Sequence, residues 1–162
     1  MIENIEEKIG QELRERGWRL AVAESCTGGL IGHRITNISG SSTYYLGSIT
    51  AYAYRAKVRL LGVSWDTLEK YGAVSEEAIG EMALGVRRAL TADVGIAVSG
   101  IAGPTGGTAD KPVGYTWIGF STVKGIITLQ HTAGGNRIEN KQEIARIALE
   151  FVYQNLQIDG KD

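Results

Sequence analysis

The chain has 162 residues, enough for one domain with a sizeable hydrophobic core. Its 43% apolar and 22% charged residues are ordinary for a soluble protein, and a net charge of −1 gives no electrostatic case for nucleic acid or an anionic membrane as partner. No apolar run approaches the roughly 20 residues needed to span a bilayer, and the acidic, amphipathic start is unlike a signal peptide.

Ile2, Ile5, Ile9 and Leu13 recur at helical spacing, so a helix is expected over 3–16, ended by Gly17. The apolar run from Arg19 to Ala23 predicts a first strand at 18–24, followed by a helix at about 27–38 and a loop from Ser39 to Ser42. A second strand is expected at 46–52 and a short helix at 54–61, closed by Gly62. Ser64 and Ser75 are suited to N-caps, opening helices at 65–71 and 76–90. The third and fourth strands fall at 93–99 and 113–121, and Lys124-Gly125 reads as the tight turn of a hairpin into a fifth at 126–131. The last helix covers 137–156, with Ile144, Ile147, Ala148, Phe151 and Val152 as its apolar stripe. Strands alternating with helices imply a parallel sheet covered on both faces. The expected fold is α/β: a three-layer α/β/α sandwich with a mixed, mostly parallel five-stranded sheet whose last strand is antiparallel, in one domain over 1–162.

Two polar loops follow strand ends, where parallel sheets bind ligands. The first is Ala23-Glu-Ser-Cys-Thr-Gly-Gly29 and the second Gly100-Ile-Ala-Gly-Pro-Thr-Gly-Gly107, which suggests one shared pocket. Ser25 is the leading nucleophile, but a serine hydroxyl needs a base to take its proton. His33 lies about two turns into the following helix, and His131 sits near the end of the hairpin strand, so neither suits a Ser-His-Asp triad. Two histidines do not make a multi-histidine metal site, and no metal is expected. Lysine is the other option, if burial or positive neighbours lower its pKa. Lys57 follows the second strand, and if strands one and two are neighbours it comes near Ser25 together with Tyr52. The plainer alternative is a solvated Lys57 and a helix-capping Ser25. Cys26 competes as nucleophile, because a helix N-terminus lowers a thiol pKa; it could equally be a small buried residue. It cannot form an internal disulfide, and without an export signal a cytoplasmic location is expected. Glu24 could be a general acid, an orienting carboxylate or an acceptor of local backbone N–H groups. Gly100, Gly103, Gly106 and Gly107 could cradle a phosphate or form a flexible turn. Arg137 could add an anion contact or be surface charge.

These two loops, with Leu60-Leu-Gly-Val63, Tyr71-Gly-Ala-Val-Ser75 and Lys111-Pro-Val-Gly114, closely resemble the CinA C-terminal domain family, in order from about residue 5 to about residue 155. The resemblance implies hydrolysis of the carboxamide of nicotinamide mononucleotide to nicotinic acid mononucleotide and ammonia, in pyridine nucleotide recycling. It implies a serine–lysine site of Ser25 and Lys57 with Tyr52, no metal or other cofactor, a homo-oligomer (dimer or higher), and the stand-alone form of the domain. On this reading backbone N–H groups around Thr27, Gly28 and Gly29 hold the oxyanion. The 100–107 glycines, with Ser99 and Thr105, hold phosphate and ribose. One segment departs from the family pattern Tyr-Ser-Asn-Glu-x-Lys, reading Tyr52-Ala-Tyr-Arg-Ala-Lys57, and Tyr115 replaces the usual threonine. An extra aromatic would reshape the pocket, and Arg55 would lower the Lys57 pKa if it faced the site. The departure supports an alternative, a non-catalytic nucleotide-binding or regulatory module of the same fold. A third reading is a thiol hydrolase using Cys26.

Overall fold

The computed structural model describes residues 1–159. The domain expected over 1–162 includes 160–162, which lie outside the described residues. In chain order the elements are α1 (Ile5–Arg16), β1 (Leu20–Glu24), α2 (Leu30–Thr36), β2 (Tyr45–Thr50), α3 (Tyr54–Leu61), α4 (Trp65–Tyr71), α5 (Glu76–Ala89), β3 (Val94–Gly100), β4 (Tyr115–Thr122), β5 (Gly125–Thr132) and α6 (Arg137–Asp159), with a short 3-10 turn at Ser41–Thr43.

The sheet order is β2-β1-β3-β4-β5. β1 runs parallel to both β2 and β3, while β3–β4 and β4–β5 are antiparallel pairs. The mixed five-stranded sheet expected from the sequence is therefore present, and the hairpin at Lys124-Gly125 forms. The strand that opposes β1, β2 and β3 is β4, and β5 turns back to their direction. The reason lies in the connection. A parallel neighbour needs a crossover, usually a helix, and the 101–114 segment between β3 and β4 contains none.

Helices cover both faces. Ile5, Ile9 and Leu13 of α1, Ile31 and Ile35 of α2, and Ile144, Ala148 and Val152 of α6 pack on Leu20, Val22, Val94, Ile96, Val98 and Phe120. On the other face Leu61, Leu68, Ile79, Met82 and Val86 pack on Ala21, Ala23 and Ala97. That second face is lined by small residues because α5 lies close: a Cβ on Gly119 would stand 2.8 Å from the Ile79 carbonyl oxygen. β1 is buried along its whole length, which is why it reads as an unbroken apolar run ending in Glu24.

The caps are chemically ordinary. Ser64 and Ser75 accept from the Asp66 and Ala78 N–H groups, each at 3.2 Å. At the start of α6, Asn136 Oδ1 accepts from the Ile138 and Glu139 N–H groups while Glu139 accepts from the Asn136 N–H, a reciprocal capping box. α2 begins at Leu30 rather than near 27, because the chain first winds through a turn with Gly28 at φ 63° and Gly29 at φ 104°. Side chains rarely adopt that left-handed conformation, so glycine is required there.

Candidate active site

β1 and β2 are neighbours, and the turn after each brings Ser25 and Lys57 together. Lys57 lies in α3, yet its side chain points inward and is only 1% exposed. Its Nζ stands 2.9 Å from Ser25 Oγ and 2.8 Å from each of the Ala51 and Tyr52 carbonyl oxygens. A neutral amine has two N–H donors and one lone pair. With both donors held by the two carbonyls, the lone pair is left for the Ser25 hydroxyl, which is the geometry a general base needs. Burial makes the ammonium form costly and pushes Lys57 down from 10.5 to about 8; a thiolate at Cys26 would oppose this. Burial in turn pushes the Cys26 thiol up to about 11, so at neutral pH it is an uncharged thiol and a poor nucleophile.

Glu24, fully buried at the end of β1, takes the role of local acceptor. Its carboxylate receives the Thr27 hydroxyl at 2.6 Å and the N–H groups of Gly29, Ile31 and Gly32 at 3.1, 3.1 and 2.9 Å. It thus caps α2 from the preceding strand, where Gly29 supplies no capping side chain. The N–H of Gly28 donates to the Ser25 carbonyl. Of the turn expected to bind an oxyanion, only the N–H groups of Cys26 and Thr27 are not engaged with another residue among those described. Glu24→Ala leaves the buried Thr27 hydroxyl and the N–H groups of Gly29, Ile31 and Gly32 without their acceptor. It is expected to lower stability by at least about 2 kcal/mol, measured by urea unfolding, with Glu24→Gln retaining part of the loss because one acceptor oxygen remains.

The second loop docks beside the first. Ser25 donates its N–H to the Val98 carbonyl at 3.1 Å, so Ser99, 1% exposed, is its neighbour across the β1–β3 pair. Gly100 ends β3. Ala102 O accepts from Asn140 Nδ2 at 3.0 Å, and Gly103 O accepts from Arg137 at 2.7 Å. Arg137 also reaches the Tyr52 hydroxyl at 3.4 Å. The Tyr52 ring is 62% exposed and faces Arg137, so it is the carbonyl of Tyr52, not its phenol, that touches Lys57. Thr105, Gly106 and Gly107 are exposed on the outer part of the loop. Two residues of α6 escaped the sequence reading. Asn140 is wholly buried and pins the helix start, and Lys141 places its Nζ 3.7 Å from the point where a Gly28 Cβ would sit. A signal for Lys141 was available: it lies four residues after Arg137 and therefore on the same helix face.

The segment that departs from the family pattern turns outward. Ala53, Tyr54 and Arg55 are exposed. The Tyr54 ring lies 6.4 Å from that of Trp65, and its hydroxyl accepts from the Ala73 N–H. Burial, not Arg55, is what lowers the Lys57 value. Tyr115 is half-buried, with its hydroxyl accepting from Trp117 Nε1. His33 is exposed on α2, and His131 pairs with Glu143 at 2.7 Å. Among the described residues no group of three or more His, Cys, Asp or Glu side chains is arranged to hold a metal, and no helix is long and apolar enough to cross a membrane.

The chain is similar over most of its length to known proteins. The nicotinamide-nucleotide amidohydrolase PncC of Enterobacter agglomerans is 49% identical over 88% of this chain and 88% of its own length. A CinA-like protein of Salinibacter ruber is 48% identical over 95% of this chain, which spans only 37% of that relative. The crystal structure of the competence/damage inducible protein CihA from Agrobacterium tumefaciens superposes with a TM-score of 0.90 at 35% identity, covering 97% of this chain and 98% of that one. The model of the CinA C-terminal domain matches residues 2–156. With nearly the whole described chain matched by one domain model, the chain belongs to the CinA C-terminal domain family.

Proposed function

We propose that the chain, acting as one domain, hydrolyses the carboxamide of nicotinamide mononucleotide to nicotinic acid mononucleotide and ammonia in pyridine nucleotide recycling, with Ser25 as nucleophile and Lys57 as its base. The observation that carries this is the buried Lys57 amine, held by two carbonyls and 2.9 Å from Ser25 Oγ. The substrate is supported by the relative named nicotinamide-nucleotide amidohydrolase, aligned over 88% of both chains. Lys57 takes the Ser25 proton as Oγ attacks the carboxamide carbon. The negative oxygen of the tetrahedral intermediate is held by the N–H groups of Cys26 and Thr27. As the intermediate collapses, the C–N bond breaks, Lys57 returns the proton to the leaving nitrogen, and ammonia departs, leaving an ester on Ser25. Water, deprotonated by the same amine, cleaves the ester and restores the serine. Ser99, Gly100, Gly103, Thr105, Gly106 and Gly107, with Arg137, line the side on which ribose and phosphate would lie. The protein is proposed to work in the cytoplasm as a homo-oligomer. The alternative of a non-catalytic module is not favoured, since its support, Ala53-Tyr54-Arg55, points away from the Ser25–Lys57 pair.

The test is ammonia release from nicotinamide mononucleotide as a function of pH. Only the free amine is a base, and with Lys57 near 8 about a tenth of it is free at pH 7. Below pH 8, kcat/KM is therefore expected to fall about tenfold per unit, and above it to level off. A profile flat from pH 6 to 8 would remove Lys57 from the base role.

A further inference from the structure

We propose that Lys141 is the residue that binds the phosphate monoester of the substrate and so sets the preference for a nucleotide over its nucleoside. The proposal rests on the amidase reading above. Positive groups around the Ser25 turn are mostly committed elsewhere. The N–H groups of Gly29, just before α2, and of Ile31 and Gly32 within it are taken by Glu24. The Arg137 guanidinium is tied to Gly103 O and Tyr52 OH. Lys57 is buried under Ser25 and donates to two carbonyls. Lys141 is different: half-buried, with no hydrogen bond or ion pair among the described residues.

The helix that carries it is docked by its neighbours. Asn140 binds Ala102 O and Arg137 binds Gly103 O, which docks the first turns of α6 on the second glycine loop. From there Lys141 reaches over the first loop, its Nζ 3.7 Å from the Cβ position of Gly28, whose N–H closes the turn on the Ser25 carbonyl. It is thus a cation with no ion pair among the described residues, beside the Gly28 turn, one helical turn from Arg137 and on the same face. A dianionic phosphate held there would complete the coordination of the ammonium, while the carboxamide at the other end of the ligand reaches Ser25. A carboxylate or neutral hydroxyl in the same place would gain less, because charge-assisted bonds to phosphate are the stronger.

The experiment compares kcat/KM for nicotinamide mononucleotide and for nicotinamide riboside, which is the same compound without the phosphate. It uses the full chain and the variants Lys141→Ala, Lys141→Gln and Lys141→Arg. The expected result is that the mononucleotide-to-riboside ratio falls about 10- to 100-fold in Lys141→Ala, mainly through KM, and that Lys141→Arg recovers most of it. Lys141→Gln keeps the apolar stem without the charge, so it gives the same reading if the alanine variant folds poorly. An unchanged ratio in the Ala and Gln variants would overturn the proposal, as would an equal loss on both substrates. No turnover of either compound by the unmodified protein would overturn the amidase reading itself, an outcome visible before any variant is made.

Discussion

Ser25→Ala is expected to lower kcat for carboxamide hydrolysis by roughly a thousandfold or more, with folding unchanged. Only one atom is lost, the Oγ that stands 2.9 Å from the Lys57 amine. The contacts that hold the turn do not involve it. The Ser25 N–H still donates to Val98 O, and Glu24 still caps α2. Thermal unfolding should therefore move little, and ammonia release is the readout. Cys26→Ala should by contrast keep activity, because a thiol pushed up to about 11 is not the nucleophile at neutral pH. Retention of more than about a tenth of the activity by Ser25→Ala would end the nucleophile assignment.

Lys57→Arg and Lys57→Met are each expected to be inactive to a similar degree, for different reasons. Methionine has no base. Arginine keeps a cation but cannot give up its proton in a protein, so it cannot accept one from Ser25. Activity in Lys57→Arg would show that the lysine supplies charge rather than base strength. Stability carries an independent sign. Folding lowers the Lys57 pKa from 10.5 to about 8, so between these values the unfolded chain holds a proton that the folded chain has released. The unmodified protein should gain stability as pH rises through this window, because stability rises wherever the unfolded state binds more protons. The methionine variant should lack that rise.

Much of the scaffold was legible because it is written in local chemistry. The apolar spacing of Ile5, Ile9 and Leu13, the serines capping α4 and α5, and Gly62 closing α3 each act within a turn or two of their own position. The Ser25–Lys57 pair was legible one step further, since each follows a strand end and only the adjacency of β1 and β2 had to be supplied. What escaped depends on contacts between distant segments. The reversal at β4 follows from a connection that builds no helix, and nothing in the strand residues themselves encodes direction. Glu24 offered three roles by sequence; the path of the glycine turn decides among them by swinging three N–H groups onto it. The spacing of Lys141 from Arg137 placed both on one helix face, but its partner surface, the Gly28 turn, lies more than a hundred residues away in the chain. The Tyr54 substitution looked like a change in the pocket, whereas the start of α3 directs that ring to Trp65.

The most direct measurement is the identity of the products formed from nicotinamide mononucleotide by the unmodified protein, with ammonia and the pyridine products quantified together. Hydrolysis at Ser25 predicts nicotinic acid mononucleotide and ammonia in equal amounts, at a rate that falls as pH drops below about 8 and vanishes in Ser25→Ala. Release of free nicotinamide, which reports cleavage of the glycosidic bond instead, or no consumption of the mononucleotide at any pH, would contradict it.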